Sequence, residues 1–127
     1  MLLERMEALE FLEFSKKLDT SNEADARSCI SRAYYCAYHE VKNFVEEDLN
    51  IDIDKVKGGS HERVSKTLLS EKTQRLKGLG YKMLTFHSRR VMADYHLADE
   101  CHQSDADEAI TECEKILKIL DECKSKN

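Results

Sequence analysis

Apolar residues return at spacings of three and four along nearly the whole chain, the repeat of a helix with one buried face. The clearest run is in 22–48, where Ile30, Ala33, Ala37, Val41, Phe44 and Val45 form one stripe that Tyr34, Tyr35 and Tyr38 widen. Before it, Leu2, Met6, Leu9, Phe11, Leu12 and Phe14 alternate with Glu and Lys and predict a first helix over 2–18. The break at Asp19-Thr20-Ser21 precedes a capping-box spacing, Thr20 with Glu23. Residues 50–59, with Asp, Lys and paired Gly58-Gly59, interrupt the pattern and predict a loop. Ser60 then caps a short third helix bearing Val64, Leu68 and Leu69. A fourth over 72–98 carries Leu76, Leu79, Met83, Phe86, Arg90, Ala93 and Leu97 in one register, weakened or bent near Gly78 and Gly80. After a polar break at 102–104, where Ser104 and Asp107 have the form of a cap, the last helix buries Ala109, Ile110, Cys113, Ile116, Leu117 and Leu120. The predicted fold is all-α: an antiparallel, up-and-down bundle of four long helices and one short one, forming a single domain over 1–127.

Composition agrees with this. The chain has no Pro, four Gly and 35% charged residues, a mixture that helix interiors tolerate. No stretch approaches the roughly 20 apolar residues that cross a bilayer, and the Glu-rich start lacks the layout of a secretory signal. The five Cys are odd in number and mostly in phase with apolar stripes, as expected of reduced thiols in a cytoplasmic protein. A net charge of −5 argues against a simple DNA-coating protein, yet residues 72–93 contain no acid at all. Arg75, Lys77, Lys82, Arg89 and Arg90 fall there with Lys72, and His87 can join them, so a polyanion would go to this segment first.

Arg90 occupies a position in the fourth apolar stripe where Leu would be the default. A guanidinium aimed at a core or interface needs a partner. Asp94, four residues on, lies on the same helix face, and Arg32 of the second helix could reach the same carboxylate if the helices pack side by side. Such a cluster either fixes helix register or serves a function. Arg89 and His96 are seven residues apart and share a face, whereas Arg90 and His96 point about 120° apart on a regular helix. An Arg near a His suits phosphodiester chemistry, the one stabilising charge on phosphorus and the other moving a proton. Other chemistries lack a pattern. His96, Cys101, His102 and Cys113 have no zinc spacing, no Cys pairs convincingly with His39 or His61, and Gly58-Gly59-Ser60 is not a phosphate-binding loop. No cofactor motif is present.

Three segments resemble the HEPN family of small helical proteins. They are 31–39 (Ser-Arg-Ala-Tyr-Tyr-Cys-Ala-Tyr-His), 60–64 (Ser-His-Glu-Arg-Val) and 89–95 (Arg-Arg-Val-Met-Ala-Asp-Tyr), in the family's order. The resemblance implies a bundle that commonly homodimerises, and in many members a metal-independent endoribonuclease of toxin or defence type whose Arg and His meet across the dimer. By that analogy Arg90 or Arg89 would hold the scissile phosphate of RNA and His96 would assist proton transfer. Arg75, Lys77 and Lys82 would hold the strand, and Arg32, Asp94 and Tyr95 would orient the site. Val91 follows Arg90 where catalytic members usually carry a polar residue. The resemblance therefore equally implies a non-catalytic nucleotide- or RNA-binding module, partnered by a nucleotidyltransferase or an antitoxin.

Overall fold

The structure is a computed structural model, and it describes residues 6–125. Its helices are α1 (Leu9–Lys17), α2 (Glu23–Glu47), α3 (Ser60–Leu69), α4 (Gln74–Tyr95) and α5 (Gln103–Ser125), with a short 3-10 turn at Ile53–Lys55 between α2 and α3. The described residues contain no strand. The all-helical bundle expected from the periodicity is the fold.

α2 is the hub and packs against each of the other four α-helices. Contacts along its length set the directions of its neighbours. Ser15 Oγ of α1 donates to the Cys29 carbonyl (3.2 Å) while Phe11 stacks on His39, so α1 runs antiparallel to α2. Arg27 near the start of α2 binds the end of α4, which therefore also runs opposite. Across α4 and α5, Lys82 meets Glu112 and Arg89 meets Glu108, again antiparallel. The four helices α1, α2, α4 and α5 thus alternate in direction, and α3 lies against α2 and α4.

Most of the predicted stripes form the core: Ile30, Ala33, Ala37, Val41 and Val45 of α2, Leu79, Met83 and Phe86 of α4, and Ala109, Cys113, Ile116 and Leu120 of α5 are buried. Each large apolar side chain so buried contributes about 1.5–3 kcal/mol. By contrast, α4 ends at Tyr95 and leaves the predicted Leu97 exposed, and Leu9 and Phe14 of α1 are exposed too. Four cysteines are buried and Cys123 is half-buried, all as free thiols. Cys36 of α2 and Cys113 of α5 are both fully buried.

Several local expectations are corrected. The described part of α1 begins at Leu9, and the predicted start at 2–5 lies outside the described residues. Asn22, not Thr20, caps α2, its side chain accepting from the Asp25 N–H at 2.9 Å. The Asp19 carboxylate instead takes the Ser21 N–H and hydroxyl, holding the preceding turn. Gly59 rather than Ser60 is the cap position of α3, and Gly58 before it has φ of 117°, a conformation suited to glycine. At α5, Asp105 reaches back to the His102 N–H (2.8 Å), so the cap sits ahead of the predicted Ser104. α4 passes through both glycines unbroken. Gly80 is where α3 closes on it, since a Cβ there would stand 3.0 Å from Leu69 Cγ. No helix among the described residues is long and apolar enough to cross a membrane.

Candidate functional site: a cation and aromatic row

The apolar phase of Arg90 brings its side chain between α4 and α2. Its Nη2 donates to the Tyr35 hydroxyl at 2.9 Å, and its Nε lies 2.8 Å from Asp94 Oδ2. That Nε–H makes no aligned hydrogen bond, so the pairing with Asp94 is one of charge. The carboxylate also accepts from Ser31 Oγ (3.1 Å). Arg32 does not reach Asp94. Its guanidinium turns the other way, 5.5 Å from the Tyr35 ring centroid and 5.8 Å from that of Phe11. Ser31, one residue earlier on α2, takes the place that had been expected for Arg32.

These contacts line up groups from three helices. Phe11 of α1, Arg32 and Tyr35 of α2, then Arg90 and Tyr95 of α4 alternate aromatic and cationic side chains. Arg90 stands 5.2 Å from the Tyr35 centroid and 5.5 Å from that of Tyr95. Tyr95 is 66% exposed, which leaves most of its ring open to a ligand. Arg32 is exposed and has no acidic partner among the described residues. Beyond its far end, a surface depression of about 530 Å³ is lined by Met6, Phe11, Phe14, Lys17 and Arg32 with two glutamates.

Beside the row sits a group of imidazoles and phenols. His61 of α3 and His87 of α4 stack with centroids 4.9 Å apart, and Tyr38 packs on His61 at 4.5 Å. Tyr34 Oη and His61 Nδ1 are 2.6 Å apart. Burial, with Tyr38 nearby, pushes the Tyr34 hydroxyl well above its usual range, so it stays protonated in this pair. Burial, then His87, Arg90 and His39, lower His61 to about 4. His87 is lowered by burial and by Arg90, and His39 by burial and Lys42.

This has a consequence for stability. All three rings resist protonation in the fold relative to the unfolded chain, so their contribution is complete above the ordinary value of 6.5 and is lost as pH falls below it, for His61 down to about 4. His61→Asn is expected to flatten that loss by about 1–2 kcal/mol, allowing for solvent screening of a part-exposed ring. Urea melts of both proteins near neutral pH and near pH 4.5 measure it; parallel losses in the two would remove His61 from the account.

The remaining predicted site residues are dispersed. Arg89 faces α5 and pairs with Glu108 at 3.4 Å. His96 terminates α4, is exposed, and has Asp99 at 3.7 Å from Nδ1. Within one chain, then, Arg89, Arg90 and His96 have separate partners. Lys82 is held by Glu112 (3.3 Å), Arg75 lines a depression with Phe44, Asp48 and Cys123, and Lys77 is half-buried on another side of α4. Cys101 and Cys113 are buried, His102 pairs with Glu100, and no three ligating side chains converge among the described residues.

Four contributors, Arg27, Tyr35, His61 and His87, are not singled out by the sequence pattern. Arg27 donates to the carbonyls of Met92 and Ala93 (both 3.1 Å), His96 (3.2 Å) and Asp99, closing the end of α4. Its in-phase relation to Ser31, Tyr34 and Tyr38 was the available signal. Nothing local distinguished Tyr35 as the Arg90 partner, or His61 and His87 as neighbours, because those pairings are made by packing. Compared with protein-family models, with curated proteins and with solved structures, the chain matches none of them.

Proposed function

We propose that the chain is a HEPN-like module that binds single-stranded RNA or a nucleotide along the row from Phe11 to Tyr95. The observation that supports this most directly is that two guanidiniums bracket the Tyr35 ring while Tyr95 lies open beside one of them. Aromatic faces stack on bases and unpaired cations hold phosphates, a pairing that recurs wherever single strands are bound. Arg32 supplies the cation with no internal competitor, and Arg90 supplies a fixed one. Of the basic residues of 72–93 outside the row, Lys82 and Arg89 are paired with carboxylates of α5, and within the row the segment acts through Arg90.

Fluorescence anisotropy with a labelled single-stranded RNA tests this. Binding should weaken linearly in log–log terms with added salt, and Arg32→Ala and Tyr95→Ala should each cost about fivefold or more, the order of one lost stacking contact. Arg89→Ala, off the row, should change little. Unaltered affinity in both row variants would remove the reading.

A second reading, metal-independent endoribonuclease action, is favoured by one observation: His96 is exposed and adjoins Tyr95 at the end of the row. Because Arg90 and His96 do not meet in one chain, this reading needs a homodimer that brings together residues of two copies. Incubating the same RNA with the protein in EDTA decides it, since cleavage lost in His96→Ala and Arg90→Ala would make the row a substrate cradle. A cytoplasmic setting and a nucleotidyltransferase or antitoxin partner belong to the same proposal.

A further inference from the structure

We propose that His61, His87 and Arg90 form a subsite for a terminal phosphate, a phosphate monoester, at the edge of the row. This rests on reading the row as a surface for phosphate-bearing ligands. It goes further by separating a monoester site from the diester path along Arg32 and Arg90.

The geometry has three parts. The two imidazoles stack at 20° between planes, so their edges lie side by side. His61 Nδ1 is held by the Tyr34 hydroxyl at 2.6 Å, and its Nε2 has no hydrogen bond to any described residue. His87, half-buried, has no hydrogen bond from its ring to any described residue, although a buried or half-buried imidazole ordinarily finds one.

The charges facing the pair come from every neighbouring element. α2 presents Tyr34, Tyr35, Tyr38 and His39, α4 presents Arg90, and α3 itself carries Glu62. Glu62 is turned aside to Lys66 (3.0 Å), and Asp94 is committed to Arg90 and Ser31. No carboxylate therefore pairs with either imidazole. The two imidazoles stack at 4.9 Å and Arg90 lies one ring away, 5.2 Å from Tyr35, whose ring is 6.1 Å from that of His61. Burial and Arg90 favour the neutral form of both imidazoles. An anion placed there would reverse that preference, and its binding would take up protons.

Linkage gives the pH profile. The imidazoles strengthen binding as pH falls, whereas a phosphate monoester loses its second charge below about pH 6. Because His61 starts from about 4, its gain comes below that point and offsets part of the loss of the monoester's second charge. A diester, which has no second ionisation, should only bind more tightly as pH falls.

The test uses the full chain. Histidine ring resonances are followed by NMR against pH in chloride and in inorganic phosphate of equal ionic strength. The midpoints of His61 and His87 should rise by about one pH unit, a tenfold coupling, while His102 stays in place. The anisotropy assay then compares 5′-phosphorylated with 5′-hydroxyl RNA. A roughly tenfold preference for the phosphorylated strand near pH 6, lost in His87→Gln, assigns the subsite to RNA ends. If phosphate moves the midpoints but the strands bind alike, a nucleoside monophosphate replaces the strand in the NMR titration, and an equal shift assigns the subsite to small phosphate ligands. Unmoved midpoints in phosphate overturn the proposal. RNA binding that persists in that case leaves the row intact without the subsite, and phosphate binding without RNA binding leaves the subsite without the strand.

Discussion

Replacing Arg27 by Met is expected to lower the stability of the fold by about 2–3 kcal/mol, a fall of roughly 8–12 °C in the midpoint of thermal unfolding for a chain of this size. The side chain is 8% exposed and its guanidinium gathers carbonyls from the last turn of α4 and the segment after it. The Met92 and His96 carbonyls also accept from the His96 and Asp99 backbone N–H groups, so they retain a donor after the change. Those of Ala93 and Asp99 depend on Arg27 more heavily, and an unpaired buried carbonyl costs the full loss of its hydration. Met preserves the apolar stem and so isolates the polar contribution. Glu23 is a useful control, because its pair with Arg27 is half in solvent and Glu23→Gln should cost only a few tenths of a kcal/mol. Equal melting of the wild-type and Arg27→Met proteins would mean that water closes the helix end as well as Arg27 does.

The contrast between Arg27 and Arg90 explains what could be read beforehand. The helices were legible because each buries one face continuously, and a stripe such as Ile30, Ala33, Ala37 and Val41 has no other use. Arg90 was legible for the same reason, as a charge interrupting a stripe. Arg27 shares a helix face with Ser31, Tyr34 and Tyr38, which marks it as inward-facing, but Ala26 and Ile30 satisfy the apolar period around it, so no stripe is visibly interrupted. Its role depends on where α4 ends relative to α2, a relation between helices that the period of one helix does not contain. Cap positions slipped by one or two residues for a similar reason: Thr20, Ser21 and Asn22 can all cap, and the turn held by Asp19 selects Asn22. Arg90 meets Asp94 as expected, but the second partner of Asp94, from α2, is one residue off because Ser31 faces α4 while Arg32 lies over the rings of Phe11 and Tyr35. His61 and His87 come from different helices and meet only when α3 packs on α4, with Gly80 allowing the close approach.

Asp94→Asn is expected to move stability and binding in opposite directions. The Arg90 side chain is 13% exposed and Asp94 26%, so the carboxylate balances a charge largely withdrawn from water. Removing it while keeping an acceptor for Ser31 should cost about 1–2 kcal/mol, less than for a fully buried pair. The same change frees the guanidinium from its internal counter-ion, and RNA affinity at low salt should rise several-fold, about 1 kcal/mol of unscreened charge. Arg90→Met should do the reverse to binding, losing roughly tenfold, and in the double variant the stability loss of Asp94→Asn should be partly recovered, since no buried charge is then left unbalanced. A purely register-fixing role for the pair makes a different set of results: stability falls in each single variant, and RNA affinity follows the folded fraction without rising. The sign of the change in affinity in Asp94→Asn therefore separates a cation held ready for a ligand from one held only for the fold.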